Sequence, residues 1–168
     1  MDQGETEARL PASGPLVTWT AELAMAGSLL VIAVAVLVVA SVLRRWLTHD
    51  VILGTVEIVE IATALAVFSF LPLCQARRGN VVVDTFTARL PPRARDRIDA
   101  VWDLVYAGAA ALIAWQLLQG ARDTVASRTT SMMLGLPTGY AIAACAVMAA
   151  VLAVVAVATA VRLLRSGR

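Results

Sequence analysis

Gln75-Ala-Arg-Arg-Gly-Asn-Val-Val-Val-Asp-Thr-Phe-Thr-Ala-Arg-Leu-Pro-Pro-Arg93 is the long polar run of this chain away from its N-terminus. It parts two pairs of apolar segments. Its reading decides the fold: two membrane hairpins joined through one polar connection. Val82, Val83, Phe86 and Leu90 share one side if residues 82–90 are helical, as in a short helix lying in a membrane interface. Three successive valines are equally compatible with an extended loop. Pro91-Pro92 ends whatever precedes it and can open the next helix. Arg93, Arg95 and Arg97 then alternate with Asp96 and Asp99, a basic face suited to anionic lipid heads.

Composition agrees with the membrane reading. The chain has 168 residues, of which 60% are hydrophobic and only 15% charged, with a mean hydropathy of +0.79. A soluble domain is closer to half apolar and a quarter charged. The net charge of +2 is too small and too dispersed to point to nucleic acid. Cys74 and Cys145 both lie in apolar segments, and no disulfide framework or metal-ligand spacing is present.

Before the polar stretch, residues 1–15 read as a mobile cytosolic tail. From Leu23 to Leu43 there follow 21 residues without a charge. The acidic start argues against a cleaved signal peptide and for a spanning helix. Trp19 and Trp46 bracket that helix. Their separation of 27 residues is roughly 40 Å of helix, the depth of a bilayer with its headgroup zones, where Trp is favoured. Arg44 to Asp50 form a short connection in which His49 reads as a solvated loop residue. The second segment runs to about Ala76, with Pro72 near its end. Glu57 and Glu60 lie three apart, on one helical face. Carboxylates inside a membrane face protein rather than lipid. A structural contact to Arg44, Arg45 or a partner subunit is the favoured reading, and a proton or ion site the alternative.

After the polar stretch, a third span starts near Ile98, its clean apolar part beginning after Asp103. Trp102 and Tyr106 stand at its start as interface anchors, and Trp115 reads as a packing residue. Gly108-Ala-Ala-Ala111 offers a smooth surface for close helix contact. Residues 119–139 connect to a last span from Tyr140 to Val161 rich in Ala, Val, Leu and Ile. The expected fold is therefore an all-α membrane protein with four transmembrane helices and a short cytosolic interfacial segment between the second and third. A single membrane domain covers residues 16–168, with spans at about 17–43, 51–76, 98–118 and 138–161. Four spans put both termini and the middle stretch on one side. That side carries ten of the 14 arginines; Arg44, Arg45, Arg122 and Arg128 lie on the other. The positive-inside rule places both termini in the cytosol.

Chemistry is sparse. No phosphate-binding glycine loop, nucleophile elbow or Cys/His metal spacing occurs. No catalytic residue, cofactor site or metal site is expected. No span has the interrupted pattern that transporters use for substrate. These residues describe a helper subunit better than an engine.

The ordered motifs go further. Gln75-Ala-Arg-Arg-Gly-Asn-Val-Val-Val-Asp, followed by Arg89-Leu-Pro-Pro-Arg93, resembles the signature of the small permease subunit (DctQ type) of tripartite ATP-independent periplasmic (TRAP) transporters. Leu43-Arg44-Arg45-Trp46 resembles that family's exit from the first span. Gly54 with Glu57 and Glu60 resembles its approach to the second. Thr130-Ser131 with Leu134-Gly135-Leu136-Pro137 resembles its approach to the fourth. The departure is Asn80, where the family often carries His.

The resemblance implies a bacterial inner-membrane, multi-pass protein in secondary transport. A periplasmic binding protein captures a solute, often an organic acid. A large multi-span permease subunit moves it, coupled to a cation gradient. The small, non-catalytic subunit braces the large one and helps dock the binding protein. On this reading Arg44, Arg45, Glu57, Glu60, Arg77, Arg78, Gly79, Asp84, Leu90, Pro91 and Arg93 form subunit or lipid contacts, with Gly79 permitting a tight bend. Arg122, Arg128, Gly135 and Pro137 would help dock the binding protein. The alternatives are an orphan four-helix structural protein and a small independent exporter, which would centre on a carboxylate inside its first span. A membrane enzyme or electron carrier would need His pairs or a polar cluster that the spans lack.

Overall fold

The computed structural model describes residues 15–50, 52–77 and 92–166. Within them stand four helices and no strand: α1 (Pro15–Thr48), α2 (Thr55–Ala76), α3 (Pro92–Ala126) and α4 (Thr138–Ser166). Each is long and apolar enough to cross a membrane. The 22 residues of α2 make roughly 33 Å of helix, about the thickness of the hydrocarbon layer. The 34 and 35 residues of α1 and α3 run roughly 50 Å and reach beyond it. α3 therefore extends past the expected apolar window at both ends. At its start Pro92 supplies a preset φ and needs no donor. Its far end continues through Arg122 and Asp123, because helix formation does not stop where hydropathy falls. Of the expected tail over residues 1–15, Pro15 instead opens α1; its residues 1–14, and residues 78–91 with the expected interfacial segment, lie outside the described residues.

The helices pack in the order α1, α2, α4, α3. α1 rests on α2, α2 on α4, and α3 most extensively on α4. The two middle helices thus follow one another in space but not in sequence. The seams are built from small side chains. On α2, Ala62, Ala66, Ser69 and Pro72 are buried at helical spacing. On α4, Ala146, Ala149, Ala156 and Ala160 are buried with Leu152 and Val155. Apolar burial gives little drive between helices that already lie in hydrocarbon, so close backbone approach and dispersion carry the packing. Gly27 shows how close that approach is: a Cβ there would overlap the Ser69 hydroxyl. Gly139 does the same for α3 and α4, where a Cβ would come 2.6 Å from Val125 and 3.2 Å from the Ala121 carbonyl.

Several hydroxyls inside the spans are satisfied by their own helices. Ser28 donates to the Ala24 carbonyl, Ser69 to Ala66 and Thr159 to Val155, as a medium without water requires. A buried polar link also crosses between helices. Gln75, only 1% exposed, donates through Nε2 to Asp103 Oδ1 at 2.9 Å. It ties the last turn of α2 to α3.

The outer helices leave much of their apolar surface uncovered. Only 11% of the most apolar window of α1, and the same share of α3, is buried. Leu29, Ile32, Val36 and Val39 on α1 are exposed. So is Trp115, which the sequence reads as a packing residue. It points away from α4, because the α3 seam is formed by Ala100, Ala107, Ala110 and Ala121 instead. Between α3 and α4 runs an open apolar groove of about 550 Å³, lined by Leu104, Ala107, Gly108, Ala111, Ala153 and Val157.

Candidate functional site

The densest polar geometry lies at the end of the fold where α1 gives way to α2 and α3 to α4. α1 stops at Thr48, whose hydroxyl donates to the Arg44 carbonyl at 2.8 Å. His49 then takes a left-handed φ of 53°, its amide bonded to the Arg45 carbonyl at 3.1 Å. Arg44 pairs with Asp50 at 2.6 Å, both side chains more than half exposed, a link of small energetic weight. Ser41 on α1 meets Thr55 at 3.3 Å. Thr55 spends its own proton on the Ile52 carbonyl, so Ser41 is the donor.

Gly54 opens α2 with φ 77°, a backbone region that side chains with a Cβ resist. One turn later stands Glu57. Its carboxylate receives three hydrogen bonds from one loop more than seventy residues away in the chain. The Ser131 hydroxyl donates to Oε2 at 2.7 Å, the Met133 amide to Oε1 at 2.7 Å, and the Leu134 amide to Oε2 at 3.0 Å.

The loop is also closed on itself. The Ser131 hydroxyl accepts from the Leu136 amide at 3.0 Å. The Ser131 amide donates to the Leu136 carbonyl at 2.9 Å, and the Gly135 amide to the Ser131 carbonyl at 3.2 Å. Gly135 makes this turn possible with φ 65°. Leu134 seats its side chain against Gly54 so closely that a Cβ on residue 54 would overlap its branched end. Glu57 and Gly54 thus hold the 131–136 loop from two sides, one polar and one apolar. Beside it, Thr124, Val125, Arg128, Thr129, Thr130 and Tyr140 line a small cleft of about 210 Å³.

The residues singled out from sequence divide between the two ends of the molecule. Arg44, Arg45, Glu57, Arg122, Arg128, Gly135 and Pro137 gather at the end just described. Arg122 and Arg128 are exposed, and Arg128 takes a left-handed φ of 51° as the chain leaves α3. Pro137 directly precedes α4. Arg77 is at the opposite end, exposed, where its amide closes α2 on the Leu73 carbonyl at 3.0 Å. Arg93 lies there too, in the first turn of α3. Arg78, Gly79, Asp84, Leu90 and Pro91 lie outside the described residues.

Glu57 and Glu60 share a helical face but not a role. Glu60 is exposed, whereas Glu57 is occupied by the chain's own loop. Gln75, Asp103 and Ser131 carry structural weight that sequence reading did not assign to them. Ser131 stood in the Thr-Ser motif, and Gln75 opened the central stretch. Nothing in either pattern names the partner.

Among the described residues, no group of three His, Cys, Asp or Glu side chains is placed to hold a metal ion. A family model for the DctQ component of tripartite ATP-independent periplasmic transporters matches residues 34–166. No curated protein and no solved structure matches the chain.

Proposed function

Because the chain belongs to the DctQ family of tripartite ATP-independent periplasmic transporters, we propose that it is the small permease subunit that braces a large permease and helps dock a periplasmic binding protein during cation-coupled solute uptake. The observation that carries this reading is the family match across residues 34–166, covering α2, α3, α4 and the C-terminal part of α1. An organic acid is the expected class of solute.

Bracing is supported by the apolar surface that α1 and α3 leave open, together with the α3–α4 groove. A second membrane protein can cover these surfaces by small-residue packing. Docking is supported by the arginine distribution. With both termini in the cytosol, the Glu57–Ser131 end faces the periplasm. The loop carrying Arg122, Arg128, Gly135 and Pro137 then stands where a soluble protein can reach it. On this orientation Arg77 and Arg93 lie on the cytosolic side, within reach of lipid heads or the large subunit.

Reconstitution tests the reading. Proteoliposomes holding the large permease of the same transporter are given loaded binding protein and a cation gradient, with and without this chain. The proposal expects uptake only when both membrane subunits are present. Equal uptake by the large subunit alone would refute it.

A further inference from the structure

We infer that Glu57 is a positioning residue for docking: it latches the 131–136 loop onto α2 so that Met132 and Met133 meet an acidic-rimmed apolar patch on the periplasmic binding protein. This rests on the docking role proposed above and assigns Glu57 to it, rather than to contact with the large subunit.

The geometry separates the loop into a held side and a presented side. Every hydrogen bond described for Glu57 goes to residues 131–134. The Leu134 side chain turns inward onto Gly54. Met132 and Met133 turn outward, with Met132 at 101% relative exposure and Met133 at 68%. A loop held at both ends of its tip cannot withdraw these side chains. Methionine adapts its shape to the surface it meets. A loop already fixed in one shape loses less freedom on binding than a mobile one.

Charge identifies the partner's rim. Arg128 stands just before the loop and Arg122 lies near the end of α3; both are exposed, and neither forms an ion pair among the described residues. The carboxylate nearest the tip, Glu57, is turned inward to the loop amides. The presented surface is therefore apolar at its tip with the Arg128 cation beside it, and the exposed Arg122 and Asp123 stand next to each other further back on α3. An acidic protein surface around an apolar contact complements it.

The test uses the assembled membrane complex in nanodiscs of neutral phosphatidylcholine and the purified binding protein of the same transporter. Glu57→Gln keeps the side-chain shape but turns an amide NH₂ toward donors. If the latched loop then falls to about a tenth of the population, the apparent Kd rises about tenfold. Ser131→Ala gives a smaller rise in the same direction, and Ser131→Thr, which keeps the hydroxyl, restores wild-type affinity. In uptake, KM for the loaded binding protein rises while the rate at saturation holds, and recovery of the large subunit is unchanged.

Wild-type Kd in both Glu57→Gln and Ser131→Ala would overturn the inference. Loss of the large subunit from Glu57→Gln would also overturn it, by making Glu57 an assembly residue. An effect seen only with anionic phosphatidylglycerol would assign the tip to lipid instead. If the wild-type complex binds no binding protein at all, the docking role itself fails.

Discussion

Placing a methyl group on residue 54 strikes the loop seat twice. Gly54 has φ 77°, and an alanine held in the left-handed region costs roughly 1–2 kcal/mol. The new Cβ also overlaps the branched end of Leu134. Leu134 is already 42% exposed, so it can swing outward, losing a little over half of its burial. Full burial of a leucine is worth about 1.5–3 kcal/mol, so this loss is about 1 kcal/mol. Together the two terms reach about 2–3 kcal/mol, or roughly 30- to 150-fold in the opening equilibrium of the loop.

The assay is hydrogen exchange at the Met133 and Leu134 amides, both of which donate to Glu57. Gly54→Ala should speed their exchange by that factor while leaving the interior of α4 protected. Leu134→Ala removes the overlapping atoms. In that background Gly54→Ala should cost only its backbone strain, giving a coupling of about 1 kcal/mol between the two sites. The reasoning is refuted if exchange is unchanged in Gly54→Ala, or if its increment is the same with and without Leu134.

Further outcomes follow from the same geometry. Gly135→Ala, with open space around it but φ 65°, should cost only the roughly 1–2 kcal/mol of left-handed strain, read as a smaller rise in exchange of the same two amides. Gly27→Val should force α1 away from Ser69 and Phe70, read as lower thermal stability in detergent; Gly108→Ala, where nothing lies within 4 Å, should leave the isolated chain's stability undiminished, because alanine is the better helix former. Gln75→Met removes the buried amide that donates to Asp103 and should destabilise by about 1–3 kcal/mol, measured by denaturant titration, with Gln75→Asn failing to restore the wild-type midpoint because its amide is one methylene short. Reporters fused after Arg168 should be active only in the cytosol.

The fold was largely legible because lipid imposes a simple grammar. An uncharged run of 21 residues from Leu23 to Leu43 has few structural options besides a spanning helix. Three more apolar segments, separated by polar breaks, set the number of helices. Their order in space was not legible. The seams are made of alanine, and alanine is so common in α3 and α4 that its spacing does not say which helix it faces. Trp115 shows the consequence: size suggested packing, but the buried residues of α3 are alanines and the indole lies outside.

The candidate site was legible as parts and not as a unit. Gly54, Glu57, Ser131 and Gly135 each stood in a recognisable motif. Yet the motifs are two separate stretches, and no local pattern states that the carboxylate of one receives the amides of the other. Two of its three donors are main-chain N–H groups of Met133 and Leu134, which leave no mark in side-chain identity. The Gly54–Leu134 contact is hidden for a related reason: a missing Cβ can serve a turn, a close approach or both, and here it serves both.

The central claim is that this chain works as the small partner of a large permease. Affinity purification of the full chain from membranes in mild detergent tests it most directly. The account predicts recovery of a stable complex with a much larger multi-span membrane protein. A homodimer of this chain that transports solute without any other subunit would contradict it.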